Sequence, residues 1–305
     1  MACKVLRTIS SGLVSLPRMR AISALRAPLL RTSDMAKPNK KVETSPRGGD
    51  EVLKLVLGAS LPRPDSDSPQ GEKTKYAVRF ADRMAEELAA DLAPLFPGIE
   101  ASTARTAPSS KGKKQLDINF STPKLGLALG ISLKSVHIRE GGNAGRYTHN
   151  MKRNDEELGI EATIYHERQP YAVMVAILFL PFDSCLDAKT KTTPSSFGSW
   201  VRKLRARVGR SEPDDRTSLF EKGYIGLYEP DGGALAFFDI QAAPPKQGIP
   251  RRDGELSGTD GFPRRLLSYE ELTGQIYAAY QQRNHTEFRW EDGEVEILSP
   301  EEEDS

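Results

Sequence analysis

Residues Lys111–Lys134 read KGKKQLDINFSTPKLGLALGISLK, and two strands are written into them. Gln115–Phe120 alternates: Leu116, Ile118 and Phe120 share one face, and Asp117 and Asn119 the other. Ser121-Thr122-Pro123-Lys124 is a turn. In Leu125–Lys134 the residues Leu125, Leu127, Leu129, Ile131 and Leu133 fall on one face, and Ser132 and Lys134 on the other. The small residues Gly126, Ala128 and Gly130 precede them on that second face and predict room for something to approach the backbone. Asp117 and Lys134 therefore stand on strand faces that can meet at one point.

Working outward, Lys73–Leu95 has the clearest helical period. Ala77, Phe80, Ala81, Met84, Ala85, Leu88, Ala89 and Leu92 make one apolar face, with Thr74 as its expected cap. Glu87 lies at the edge of that face, within reach of Arg83, and Asp91 lies within it. On the other side, Ala144–Gln169 is expected as a long helix with Tyr147, Met151, Leu158, Ala162 and Tyr165 inward. Asp155 projects from the same face, and an inward acid needs a cationic partner or a metal. Arg146, Asn150, Arg153 and Glu157 recur on another face, suited to a duplex or to water. Pro170 and Pro181 bracket Tyr171–Phe182, whose apolar run has the length of a buried strand. Helix, strand, strand, helix, strand predicts an α/β fold, a mixed central sheet flanked by helices.

Composition sets the bounds. The chain has 305 residues, 38% hydrophobic and 28% charged, with a formal net charge of +1, enough for one large domain. The core is expected over 73–181 of a single domain 51–290, with a basic and hairpin extension over 184–290 and an acidic tail over 291–305. Met1–Asp34 carries Lys4, Arg7, Arg18, Arg20, Arg26 and Arg31 and no acid before Asp34. It reads as transit-like, or as an over-called start ahead of Met35, and 1–50 is set outside the fold. The cysteines, Cys3 and Cys185, make neither a disulfide framework nor a zinc pattern, so a reducing, cytoplasmic setting is expected. No apolar run has the length of a membrane span.

Beyond the core, Ser184–Pro213 concentrates Lys189, Lys191, Arg202, Lys203, Arg205, Arg207 and Arg210 around an amphipathic helix that begins near Ser195. Such a helix packs on the core and shows its basic face to water or to a nucleic-acid backbone. Gly223–Glu229 and Ala234–Gln241 flank the turn Pro230-Asp231-Gly232-Gly233, a hairpin signal. Ala242–Arg265 is a long loop with Arg251, Arg252, Arg264 and Arg265. Ser268–Arg283 is a closing helix with a capping box at Ser268 and Glu271.

Several chemistries find no support. The four histidines are scattered, and there is no GxSxG elbow or Walker A loop. The glycine-rich Gly141–Gly145 offers a phosphate seat or a plain helix-start turn. What remains is the carboxylate and lysine on adjacent strands, a pair suited to metal-dependent phosphodiester hydrolysis.

Asp117, fourteen residues, then Ser132-Leu133-Lys134 resembles the core motif of the PD-(D/E)xK nuclease superfamily, known from restriction endonucleases. The resemblance covers roughly 73–181. It implies a restriction-endonuclease-like fold and a magnesium-dependent (or manganese-dependent) endonuclease acting on double-stranded DNA, most simply a type II-like restriction enzyme working as a homodimer. By the same likeness Asp117 is the main metal ligand, Lys134 positions the water or stabilises the transition state, and Ser132 holds a metal-bound water. Glu87 and Asp155 complete the metal shell. Arg146, Asn150, Arg153, Lys189, Lys191, Arg202, Lys203 and Arg205 face the DNA. The chain departs from the pattern twice: Leu116 stands where the proline is expected and Ser132 where the second acid is. Asp155 also lies 21 residues after Lys134 (155 − 134), farther than the pattern has it. These departures leave a second reading open, a non-catalytic DNA- or protein-binding module on a degenerate nuclease fold.

Overall fold

The computed structural model describes residues 47–60, 62–101, 107–109, 112–114, 116–123, 126–139, 145–188, 190, 193–241, 249–250, 256–257, 266–284, 287–291 and 294–298. All belong to one compact unit, Ser45–Ser305. Met1–Asp34, Lys111, Gly141–Ala144, Lys189, Lys191, Arg251, Arg252, Arg264 and Arg265 lie outside the described residues.

The chain opens with two helices, α1 (Gly49–Ser60) and α2 (Gln70–Leu92). Short strands follow: β1 (Glu100–Ala101), β2 (Ala107–Ser109) and β3 (Gly112–Lys114). Next come β4 (Ile118–Thr122), β5 (Gly126–Ser135), α3 (Met151–His166), β6 (Val173–Pro181), α4 (Ser196–Leu204), β7 (Lys222–Tyr228) and β8 (Leu235–Asp239). After β9 (Ile249–Pro250) and β10 (Leu256–Ser257) comes α5 (Tyr269–Arg283). A terminal hairpin, β11 (Glu287–Glu291) with β12 (Glu294–Leu298), runs into the expected acidic tail 291–305.

The molecule is an α/β protein with a six-stranded, mixed, open sheet in the order β1-β4-β5-β6-β7-β8. β5, β6 and β7 run parallel, and the other neighbours pair antiparallel. The crossovers α3 and α4 share one face of the sheet, as same-handed crossovers between strands added in one direction must. There Leu158, Ala162, Phe197 and Trp200 pack on Met174, Ala176 and Leu178. Phe80, Met84 and Leu88 of α2, Val52 and Leu53 of α1 and Leu272 and Ile276 of α5 cover the opposite face. Every residue of β6 is buried, as its proline-bracketed apolar run predicts for a strand covered on both faces.

Local chemistry accounts for the departures from expectation. Asp117 is not inside the strand; it forms a bend just ahead of β4. β4 pairs Phe120 with Leu129 but Ser121 with Leu127, so β5 carries an extra residue at Ala128. That bulge turns Leu127 toward the α3 and α4 face, while Leu129, Ile131 and Leu133 stay on the other. The space expected above Gly130 is filled: a Cβ there would stand 2.7 Å from both Leu116 Cδ1 and Met174 Sδ. α2 begins three residues early, after Pro69, and Thr74 is no cap, because its hydroxyl donates to the Gln70 carbonyl at 3.0 Å inside the helix. α3 begins only at Met151, because Asn150 takes a left-handed conformation (φ 56°) that ends any helix running in from Ala144. Among the described residues no helix is long and apolar enough to cross a membrane.

Candidate functional site

The antiparallel register pairs Ile118 with Ile131, which sets Asp117 opposite Ser132 on the face that also carries Lys134. The Asp117 backbone N–H donates to the Ile131 carbonyl at 3.1 Å. Its Oδ2 accepts the Leu133 N–H at 2.6 Å, so the side chain continues the ladder where the β4 backbone turns away. Lys134 Nζ reaches up to α3. It donates to Glu161 Oε1 at 3.0 Å and lies 3.7 Å from Glu157 Oε2. Glu161 is buried, 3% exposed, which leaves it no solvent to share its charge with.

The electrostatics follow from this crowding. Burial pushes the Asp117 carboxyl up to about 6; the Leu133 N–H and Lys134 oppose the rise, and Glu161 and Asp82 add to it. Burial pulls Lys134 down, but Glu161, Asp117 and Glu157 overcome it and hold the ammonium above its ordinary value. Tyr165, next along α3, is raised to about 12 by burial and by Glu161 and Asp117. The Ser132 hydroxyl is buried with no hydrogen-bond partner, a position in which a polar atom costs stability unless something else meets it.

Of the expected metal-shell residues, only Asp117 belongs to this cluster. Glu87 is clamped by Arg47 and Arg83. Asp91 accepts from Arg47 Nε at 2.9 Å and from the Tyr269 hydroxyl at 2.9 Å. The acid of α2 that Asp117 senses is Asp82. Asp155 is inward and paired, but by cations. Arg207 grips it as a fork (Nε–Oδ1 2.7 Å, Nη2–Oδ2 3.1 Å), and Lys203 Nζ lies 3.0 Å from Oδ2. Those bonds outweigh burial and hold Asp155 below its ordinary value. The acid that meets Lys134 is Glu161, which stands six residues on, about 240° round α3 from Asp155 at about 100° per residue. One signal for it was present in the sequence. Glu157 and Glu161 are like charges four apart, an arrangement that weakens a lone helix and asks for a cation opposite.

The expected DNA-facing residues separate. Arg146 precedes α3 and is spent on structure: its Nη2 donates to the Pro194 carbonyl at 2.6 Å and the Ser199 hydroxyl at 3.2 Å. Asn150 is the exposed left-handed residue before the helix, so the stripe from Arg146 through Asn150 to Arg153 is not a helix face. Arg153 is exposed and pairs with Glu157 at 2.8 Å. Arg205 donates to the Ile240 carbonyl at 3.3 Å. Arg202 is exposed, and Lys203 is held by Asp155.

Among the described residues no three His, Cys, Asp or Glu side chains lie close enough to enclose a metal ion. The donors at hand are the Asp117 and Glu161 carboxylates and the unmet Ser132 hydroxyl, all hard oxygens. Magnesium is commonly held by one or two carboxylates and keeps several of its waters, so this set fits it better than it fits a softer metal. Comparison with known protein-family models, curated proteins and solved structures finds no match for this chain.

Proposed function

We propose that the chain is a magnesium-dependent endonuclease that hydrolyses phosphodiester bonds of double-stranded DNA. Its sheet is read as a restriction-endonuclease-like variant of the α/β/α layout, and the protein as a type II-like restriction enzyme acting in the cytoplasm as a homodimer. The observation that carries this reading is the meeting of Asp117, Lys134 and Glu161, a carboxylate and a lysine from adjacent strands and a second carboxylate from the following helix. Glu161 supplies the acid absent at Ser132.

In this reading the Asp117 and Glu161 carboxylates would hold the divalent ion, with the Ser132 hydroxyl as a further oxygen donor. The ion would supply a more acidic water and neutralise charge on the phosphate. Lys134, kept protonated by its acidic neighbours, stays cationic through the neutral range and faces the developing negative charge. The Asp117 carboxyl is raised mainly by burial, with Glu161 and Asp82 adding to it, and a cation bound there would favour its charged form.

Cleavage of plasmid and genomic DNA in magnesium or manganese tests this. Asp117→Ala, Lys134→Ala and Glu161→Gln are each expected to lower the rate by at least about a hundredfold, whereas Asp155→Asn leaves the chemistry in place. Cleavage that survives Glu161→Gln would remove the assigned second ligand.

One observation favours the binding-module reading: Lys134 is already neutralised by Glu161 and Glu157, and among the described residues no three-acid group encloses a cation. Magnesium calorimetry with and without duplex separates the two, since a folded protein that binds duplex and takes up no ion is a module.

A further inference from the structure

The charge of the chain is nearly balanced at +1, yet one cleft is strongly one-sided. Between α3 and the C-terminal part of α4 lies a cleft of about 520 Å³ lined by Arg202, Lys203, Arg207 and Arg216, with Asp155 its only acid among the described residues. Arg202 and Arg216 are exposed, and neither has an acidic partner among the described residues. Lys203 keeps 42% of its side chain in solvent. Arg207 packs close on α3: a Cβ at Gly159 would stand 2.7 Å from its Nη1, so its guanidinium occupies space that a larger residue there would take.

We propose that this cleft is a docking site for backbone phosphates of the nucleic acid, with Arg202 and Arg216 as its free contacts. Asp155 acts as a built-in competitor that takes up Arg207 and Lys203 in the fork a phosphate would otherwise fill. The proposal rests on the nucleic-acid reading of the chain and does not depend on the chemistry at Asp117. Glu157 and Glu161 face one flank of α3, and the cleft lies on the other.

The test is duplex binding across a salt series, without divalent ions, in an Asp117→Ala background that cannot cut. Removing two phosphate contacts by Arg202→Ala with Arg216→Ala is expected to lower affinity on the order of tenfold. It should also reduce the slope of log affinity against log salt by about 2. Both side chains are exposed, so these changes leave the fold intact, and circular dichroism checks this. Asp155→Asn keeps the shape of the side chain and frees two cations; it is expected to raise affinity and steepen the slope. If the parent binds duplex and the double variant keeps its affinity and slope, the cleft is overturned while the nuclease reading stands. If the parent binds no duplex at all, both fall together. An Asp155→Asn protein that is folded but binds no tighter would remove the competitor role.

Discussion

Asp117, half-buried, and His137, fully buried, are titratable residues near the ends of adjacent strand segments, and they answer to pH with opposite sign. The Asp117 carboxyl rises from an ordinary 3.8 to about 6, so folding favours its protonated form. Its charge therefore costs stability above about 6, and the cost disappears as pH falls toward 3.8. In metal-free buffer Asp117→Asn is expected to raise Tm at neutral pH, with the gain shrinking through that window; a gain that is flat with pH would show that the charge carries no such cost. Full burial, with Arg63 adding to it, lowers the His137 ring from 6.5 to about 3. The imidazole is packed against Phe80 and Tyr76, and its Nδ1 lies 2.6 Å from the Tyr228 hydroxyl. Its contribution is present above 6.5 and is lost as pH falls toward about 3, so His137 adds to the acid sensitivity of the fold, whereas Asp117 opposes it.

Among the elements, α5 and α3 show what local sequence can and cannot do. The capping box of α5 forms as its residues predict: Ser268 Oγ accepts the Glu271 N–H at 3.1 Å, and Glu271 accepts the Ser268 N–H at 2.6 Å. All four groups lie within one turn, so sequence alone suffices. Ser268→Ala is expected to cost about 1 kcal/mol, read as a lower urea midpoint with an unchanged m-value. α3 is different, since its inward period runs back to Tyr147. The Tyr147 N–H instead donates to Ser196 Oγ at 2.9 Å, and its carbonyl accepts from Trp200 Nε1 at 2.8 Å. Those partners are about fifty residues away (|i−j| of 49 and 53), so the true start of the helix was not legible locally. The same distance problem hid Glu161. Periodicity offered acids on two flanks of α3, and only the placement of α3 over β5 selects the one that meets Lys134.

At the scale of the molecule, the candidate site joins the end of β4, the end of β5 and α3, so a ligand there should stabilise the whole fold. Millimolar magnesium is expected to raise Tm by several degrees, about 2.7 kcal/mol at a hundredfold excess over Kd, and to leave Asp117→Ala unmoved. An equal shift in both proteins would place the ion elsewhere. Short-range period and turn chemistry encode the α/β class, the proline-bracketed central strand, the apolar face of α2, the β7–β8 hairpin and the shared strand face of Asp117 and Lys134. Tertiary structure alone decided which acids face which cations. Arg207 and Lys203 claim Asp155, Arg47 and Arg83 claim Glu87, and Glu161 is left to Lys134. A buried charge takes whichever counter-charge packing brings to it, and every one of these pairs except Arg83–Glu87 joins segments at least 27 residues apart.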